Sequence, residues 1–332
     1  MRKLASVRKI SNIKPIKDAD AIECAQIDGW DVVVKKGEFS VGDSVVYFEI
    51  DSWIPNSIAP FLSKGQEPKE YEGVKGERLR TVRLRGQLSQ GLILPLCEFD
   101  LLEYPVGTDL TDILNIKKYE PPIPAQLSGE VKGLFPTLIP KTDQERVQNI
   151  LDKLVYWTQD QTVFEVTEKL DGSSMTCYYM DGEFGVCSRN LDLKRNTDNS
   201  LWKAALNQKL DDILSKYGKN IALQGELIGE GIQGNPYKLK GQQFYLFDVY
   251  LISEGRYMDP TERKSFAVYN NINHVPIIDY FNVKPVDELL LLAEGKSVLN
   301  VNTEREGLVF KSMSNQNSFK VISNKFLLKN GG

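Results

Sequence analysis

Histidine is almost missing from this chain: His274 is the only one in 332 residues. That excludes a histidine metal cluster, and it leaves a Ser-His-Asp or Cys-His mechanism hanging on one position with no recognisable partner motif. Cysteine is sparse as well. Cys24, Cys97, Cys177 and Cys187 are scattered without a C-x-x-C pair, a pattern of reduced, mostly buried thiols and not of a disulfide framework. No uninterrupted apolar run approaches the length of a bilayer span, and Met-Arg-Lys-Leu-Ala-Ser does not lead into the apolar core of a signal peptide. An intracellular protein with no membrane partner is expected. A basic excess is lacking too: 41 Lys and Arg against 45 Asp and Glu argue against binding nucleic acid by bulk charge. Nucleophilic and acid–base chemistry is left mainly to lysine and carboxylates.

What is present is ordinary for a globular protein, 41% hydrophobic and 26% charged, at a length that suits two domains. Residues 1–115 carry short β-like runs (D31VVVK, S44VVYFEI, R80TVRLR, G91LILP) between Gly, Pro and Asp turns, which predicts a small OB-type β-barrel. Residues 116–140 are proline-rich and irregular, and read as a linker. In residues 141–332, T142DQERVQNILDKL has a cap, an early glutamate and apolar residues at helical spacing, so a helix carrying Arg146 is expected. Strands follow at 162–168, 175–180, 183–189, 221–228, 243–252, 307–312 and 318–323, with a helix near 200–217 and another through the leucines at 289–292. The class is therefore α+β.

One local basic feature stands out. In E77RLRTVRLR, the residues Arg78, Arg80, Arg83 and Arg85 alternate with apolar or small ones as a strand would place them, and the parity shift after Arg80 requires a bulge if all share a face. A solvated strand face and contact with nucleic-acid phosphates are both open readings.

The stretch E168KLDGSS is also two-sided. Asp-Gly is a common hairpin signal, so a solvated turn is one reading; the other makes Lys169 a nucleophile. Four further segments have charges or glycines where a plain strand would be apolar: C187SRN, Q224GELIGEGIQGNPY, F244YLFD, and R305EGLVFK with F319KVISNKF behind it. In this order they resemble the nucleotidyltransferase motifs of covalent polynucleotide ligases and capping enzymes. A barrel that precedes this domain is similar to the nick-sealing RNA ligases of the Deinococcus and Naegleria type.

The resemblance implies a nucleotidyltransferase (adenylation) domain of antiparallel sheets flanked by helices, and an enzyme that uses ATP and magnesium or manganese. It would seal nicks in duplex RNA or an RNA/DNA hybrid through lysyl–AMP, acting as a monomer. A DNA ligase, a GTP-dependent capping enzyme and a non-catalytic nucleic-acid-binding protein are the alternatives. By the same resemblance Lys169 is the nucleophile. Glu168, Leu170 and Gly172 line the nucleotide site, Phe247 stacks on the base, and Arg189 and Glu226 reach ribose, phosphate or metal-bound water. Asp171, Glu226 and Glu306 suit a hard cation, and Lys311 and Lys320 the α-phosphate. An attacking amine must be unprotonated, so a bound metal, Lys311 and Lys320 are expected to lower the pKa of Lys169. Two departures stand out. Ile322 occupies the place of a second terminal lysine, for which Lys325 is the expected substitute, and Arg146 is expected either to reach the γ-phosphate or to remain a surface charge.

Overall fold

The computed structural model describes residues 2–120 and 130–330. The chain divides into two compact units, Met1–Pro122 with Leu327–Gly332, and Ile123–Phe326.

In the first unit, the strands Ala5–Lys9, Ser44–Phe48 and Leu92–Pro95 form one antiparallel sheet, and Asn12–Pro15, Ile22–Ile27 and Trp30–Lys35 a second. Lys117–Lys118, Ser52–Pro55, Val74–Arg78 and Lys69–Tyr71 form a third, and Val82–Leu84 pairs only with Gln87–Ser89. Among the described residues no closed ring of strands links these sheets. The run Val45–Phe48 is apolar at every position because Val46 and Phe48 face one core while Val45 and Tyr47 face another.

Two expectations change here. Arg78, Arg80, Arg83 and Arg85 do not share one bulged strand: Arg78 ends Val74–Arg78, Arg80 lies in the connection, Arg83 sits on Val82–Leu84 and Arg85 turns the hairpin at φ 51°. Leu79, buried between them, draws the chain inward and breaks the strand. Nor is 116–140 a linker throughout. Lys117 and Lys118 pair with Trp53 and Ser52, and Val131–Leu134 pairs with Leu191–Leu193. The part of the expected linker at 121–129 lies outside the described residues.

The second unit is built from two antiparallel sheets. Seven strands lie in the order Val131–Leu134, Leu191–Leu193, Glu183–Cys187, Ser173–Met180, Ile221–Gly229, Gln242–Leu251 and Arg256–Tyr257. Four lie in the order Ile277–Asn282, Val163–Lys169, Gly307–Ser312 and Ser318–Ile322. The helices Ser200–Asn207 and Leu210–Tyr217 bury Trp202, Ala205, Leu210 and Leu214 in the core of the first sheet. Leu151–Gln159 and Val286–Ala293 bury Leu154, Trp157 and Leu289 in the core of the second.

The predicted helix starts late. Val147–Asn149 is a 3-10 turn, the α-helix begins at Leu151, and Arg146 is extended at φ −73°, ψ 144°. Lys320 N donates to Glu145 O at 2.8 Å, and Arg146 bridges Lys320 in parallel. Pairing with the open edge of the Lys320 strand satisfies backbone groups that an early helix turn would leave unbonded, and so overrides the cap signal.

The Asp-Gly turn is not a hairpin either. Val163–Lys169 belongs to the four-stranded sheet and Ser173–Met180 to the seven-stranded one, so Leu170, Asp171 and Gly172 cross between sheets. Gly172 is required for space: a Cβ there would lie 2.5 Å from Leu227 O and 2.6 Å from Ile228 Cγ2. Gly172→Ala is therefore expected to cost about 1–3 kcal/mol by overpacking, seen in thermal melts as a drop of several degrees. An unchanged melting temperature would show that the crossing has slack.

Candidate active site

Lys169 is the last residue of its strand, and its side chain lies in the gap opened by the crossing. Its Nζ donates to Glu306 Oε2 at 2.7 Å. Asp171 and Glu226 complete an acidic surround, and the amide of Gly172 supports the Glu226 carboxylate. Burial pulls the Lys169 pKa down, but the charges of Glu306, Glu226 and Asp171 outweigh it and leave the pKa raised. The expected lowering rests on a bound metal as well as on Lys311 and Lys320; the protein's own side chains alone keep the lysine an ammonium. Lys320, one of the cations expected to lower it, does repel Lys169, and the carboxylates outweigh it.

The carboxylates show the same strain. Burial and the charge of Glu306 push Asp171 up to about 6, against the pull of Lys169. Burial, with Glu306 and Asp171 adding to it and Lys169 opposing, pushes Glu226 up to about 8. The cluster holds more negative charge than one ammonium neutralises, and its donors are oxygens, so it fits a hard divalent cation. It is not a complete protein cage. Among the described residues no three Asp, Glu, His or Cys side chains converge on one point, so Asp171, Glu226 and Glu306 fail as a direct three-ligand set. The Lys169 ammonium bonds to Glu306 in that space, and a cation that keeps its waters can be held at longer range.

An apolar cluster adjoins the acidic one. Leu170, Ile228, Tyr237 and Val275 are buried together, with Tyr245, Phe247 and Leu299 against them. Phe247 reaches it through a β-bulge: Gln224 pairs with Asp248 and Gly225 with Leu246, leaving Phe247 as the extra residue. Tyr237 escaped the sequence reading. Its hydroxyl accepts from the Asp171 amide at 2.6 Å and pins the crossing, and an aromatic closing G-N-P-Y was the available signal. Glu168 is buried, and its Oε2 accepts from Val298 N at 2.8 Å.

The expected cations separate. Lys320 stays with the site, pushed down to about 7 by burial and by the charges of Lys169 and Arg146. Arg146 is thus brought beside Lys320, though not on a helix. Lys311 turns elsewhere: its Nζ is 2.7 Å from Asp248 and donates to Phe247 O, with the ring centroid at 5.3 Å. It braces Phe247 and does not extend the Lys169 cluster. Lys325, the expected substitute for the lysine missing at Ile322, is exposed and pairs with Glu294 at 3.8 Å. Arg189 pairs with Asp143 at 2.6 Å, at the surface. In the other unit Arg78 pairs with Asp51 and lies 5.0 Å over the Tyr119 ring, whereas Arg80, Arg83 and Arg85 are exposed.

Two antiparallel sheets joined at a lysine among carboxylates, with a bulged aromatic beside it, have the architecture of the nucleotidyltransferase superfamily. The RNA ligase family model matches residues 162–322, and an OB-fold domain model matches residues 4–96. Solved structures of the Naegleria gruberi RNA ligase are similar over nearly the whole chain. One of a lysine-to-alanine variant with ATP and manganese is 51% identical, covers 98% of this chain and 99% of its own, and superposes with a TM-score of 0.85. Another with pyrophosphate is 51% identical over 99% of both chains, with a TM-score of 0.84. A search of curated proteins finds no match. The chain belongs to the RNA ligase family.

The raised carboxylates have a measurable consequence. A group protonated in the folded state and ionised in the unfolded one favours folding less as pH rises through its window, here from about 4 to about 8 for Glu226. Glu226→Gln removes that dependence. In thermal melts without divalent cations, the variant and parent are expected to match at pH 5 and the variant to be the more stable at pH 8.5. A gap that does not change with pH would remove Glu226 from the charged cluster.

Proposed function

We propose that this protein is an ATP-dependent RNA ligase that joins a 3′-hydroxyl to a 5′-phosphate at a nick in duplex RNA or an RNA/DNA hybrid, through lysyl–AMP. The observation that carries the reading is the Lys169 ammonium held 2.7 Å from Glu306, beside Glu226 and Asp171, at a crossing flanked by Phe247 and Lys320. The likeness to an enzyme solved with ATP and manganese, and with pyrophosphate, supports ATP as the nucleotide. Four free thiols accord with a reducing, intracellular setting, where it would act as a monomer.

In this reading the base enters the apolar cluster against Phe247, while Lys320, with Arg146 beside it, faces the phosphates. Lys169 gives up a proton, for which Glu306 Oε2 is the nearest acceptor, and its Nζ attacks the α-phosphorus. The N–P bond forms as the bond to the bridging oxygen breaks and pyrophosphate leaves. AMP then passes from Lys169 to the 5′-phosphate, and the 3′-hydroxyl displaces it. Asp171, Glu226 and Glu306 would hold a divalent cation by way of its waters, and when bound it would supply positive charge that favours the neutral amine and stabilises the phosphates.

Incubation with ATP labelled at the α-phosphate and magnesium or manganese, followed by denaturing electrophoresis, tests the first step. Label is expected on the wild type, and not on Lys169→Ala or on protein kept in excess chelator. Label from GTP in its place would favour a capping enzyme, and labelling of Lys169→Ala at the wild-type level would remove Lys169 from the mechanism.

The exposure of Arg80, Arg83 and Arg85 in the first unit supports a reading in which they contact nucleic-acid phosphates. Changing Arg83 and Arg85 to alanine is expected to weaken nick sealing while leaving self-labelling intact. The defect should be largest at low salt, because each lost phosphate contact makes the salt dependence of duplex binding shallower by about one unit of slope. Equal losses of labelling and sealing would assign these arginines to the fold.

A further inference from the structure

Behind Phe247 lies a set of buried charges that the chemistry at Lys169 does not use. Arg263, on the helix Pro260–Tyr269, is 1% exposed and reaches three partners. One guanidinium nitrogen pairs with the wholly buried Glu165, and another lies 3.7 Å from Asp248. Its Nε donates to His274 Nε2 at 3.0 Å. Asp248 in turn holds Lys311 at 2.7 Å, and Lys311 donates to the carbonyl of Phe247. Tyr280 donates to the remaining Glu165 oxygen at 3.2 Å.

The tautomer of His274 follows from its neighbours. Its Nδ1 is 2.6 Å from Val275 O, which can only accept, so the proton is on Nδ1 and Nε2 is the bare acceptor for Arg263. Burial and the Arg263 charge push its pKa down to about 4, which keeps it neutral. Two cations and two anions then close without a fifth charge. The same segment grips the bulge from the backbone: Leu246 N donates to Asn273 O at 2.8 Å, and Val275 N to Leu246 O at 3.0 Å.

These contacts join both sheets at one place. Glu165 and Lys311 belong to the four-stranded sheet, and Asp248 to the seven-stranded one, next to the bulge residue Phe247. A buried set of ion pairs is a poor source of stability, since its desolvation offsets most of its attraction. It is a good source of fixed geometry, because each group has only one arrangement that satisfies its partners.

We propose that Arg263, oriented by a neutral His274, is a positioning residue that holds Phe247 in its stacking pose and so sets the affinity for the base of ATP. The inference rests on the proposed reading of the apolar cluster at Phe247 as the base site. It acts on the base and not on the phosphates, since Arg263 reaches Phe247 through Asp248 and Lys311, whereas the phosphates face Lys320.

The test uses the full chain and its variants His274→Phe, His274→Gln and Phe247→Ala. It reads the KM for ATP in self-labelling, the maximal extent of labelling, inhibition by inorganic tripolyphosphate, and thermal melting. His274→Phe is expected to raise the KM for ATP about tenfold, the size of one lost stacking contact, with maximal labelling and tripolyphosphate inhibition within about twofold of the parent. His274→Gln retains an acceptor for Arg263 and is expected to recover most of the affinity. In a Phe247→Ala background His274→Phe is expected to add nothing. The proposal is overturned by equal weakening of ATP and tripolyphosphate, by additivity with Phe247→Ala, or by wild-type KM in folded His274→Phe. Should that variant not fold, Arg263→Lys, which keeps the charge and loses the fork, carries the same comparison. A wild-type chain that takes no label from ATP would instead overturn the function on which the inference rests.

Discussion

One ammonium among three carboxylates is the constraint around which the ligase unit is arranged. Left to itself, such a cluster would scatter, because the acids repel one another and burial penalises every charge in it. The fold holds it by fixing backbone on both sides of Lys169. Buried Leu170 anchors the crossing, the Tyr237 hydroxyl takes the Asp171 amide, and the missing Cβ of Gly172 lets the chain pass Leu227 and Ile228. Gly307, directly across from Lys169, lets the neighbouring strand close in, since a Cβ there would lie 2.1 Å from Val321 O. Each feature is ordinary alone. Together they keep Lys169 charged and in place.

The two ends of the site are electrostatic opposites. Around Glu226 the acids resist ionisation, which is the behaviour of a place short of positive charge. Around Lys320, burial and the charges of Lys169 and Arg146 oppose protonation, which is the behaviour of a place short of negative charge. On the proposed reading, a cation paired with a polyphosphate would answer both deficits at once.

Much of this was legible in the sequence. The strands around Lys169, Glu226, Phe247 and Lys311 follow from alternation and β-branched content, and the structure brings Lys169, Asp171, Glu226 and Glu306 near one another from separate motifs. What stayed hidden was tertiary. Asp171-Gly172 reads locally as a hairpin, since dihedral preference says nothing about which sheet the next strand joins. The early helix failed because an open strand edge competed for the backbone of Glu145 and Arg146. Lys311 was assigned to phosphate because spacing gives its face on the strand but not its partner, and the partner, Asp248, comes from the other sheet. Arg263 and His274 carry no motif, and only burial reveals them.

The departure at Ile322 can be placed by the strand register. Lys169, Gly307 and Ile322 form one cross-strand row, and Thr167, Val309 and Lys320 the next on the same face. A lysine at 322 would therefore rise in the same row as the nucleophile, two strand spacings or about 10 Å away. Ile322 is buried and leaves that flank apolar, while Lys325 is committed to Glu294. Lys320 has Arg146 as its near cationic neighbour, while Lys169 is claimed by Glu306. On the proposed reading, with no ammonium at 322, a larger share of the phosphate charge would fall to a cation drawn in by Asp171, Glu226 and Glu306.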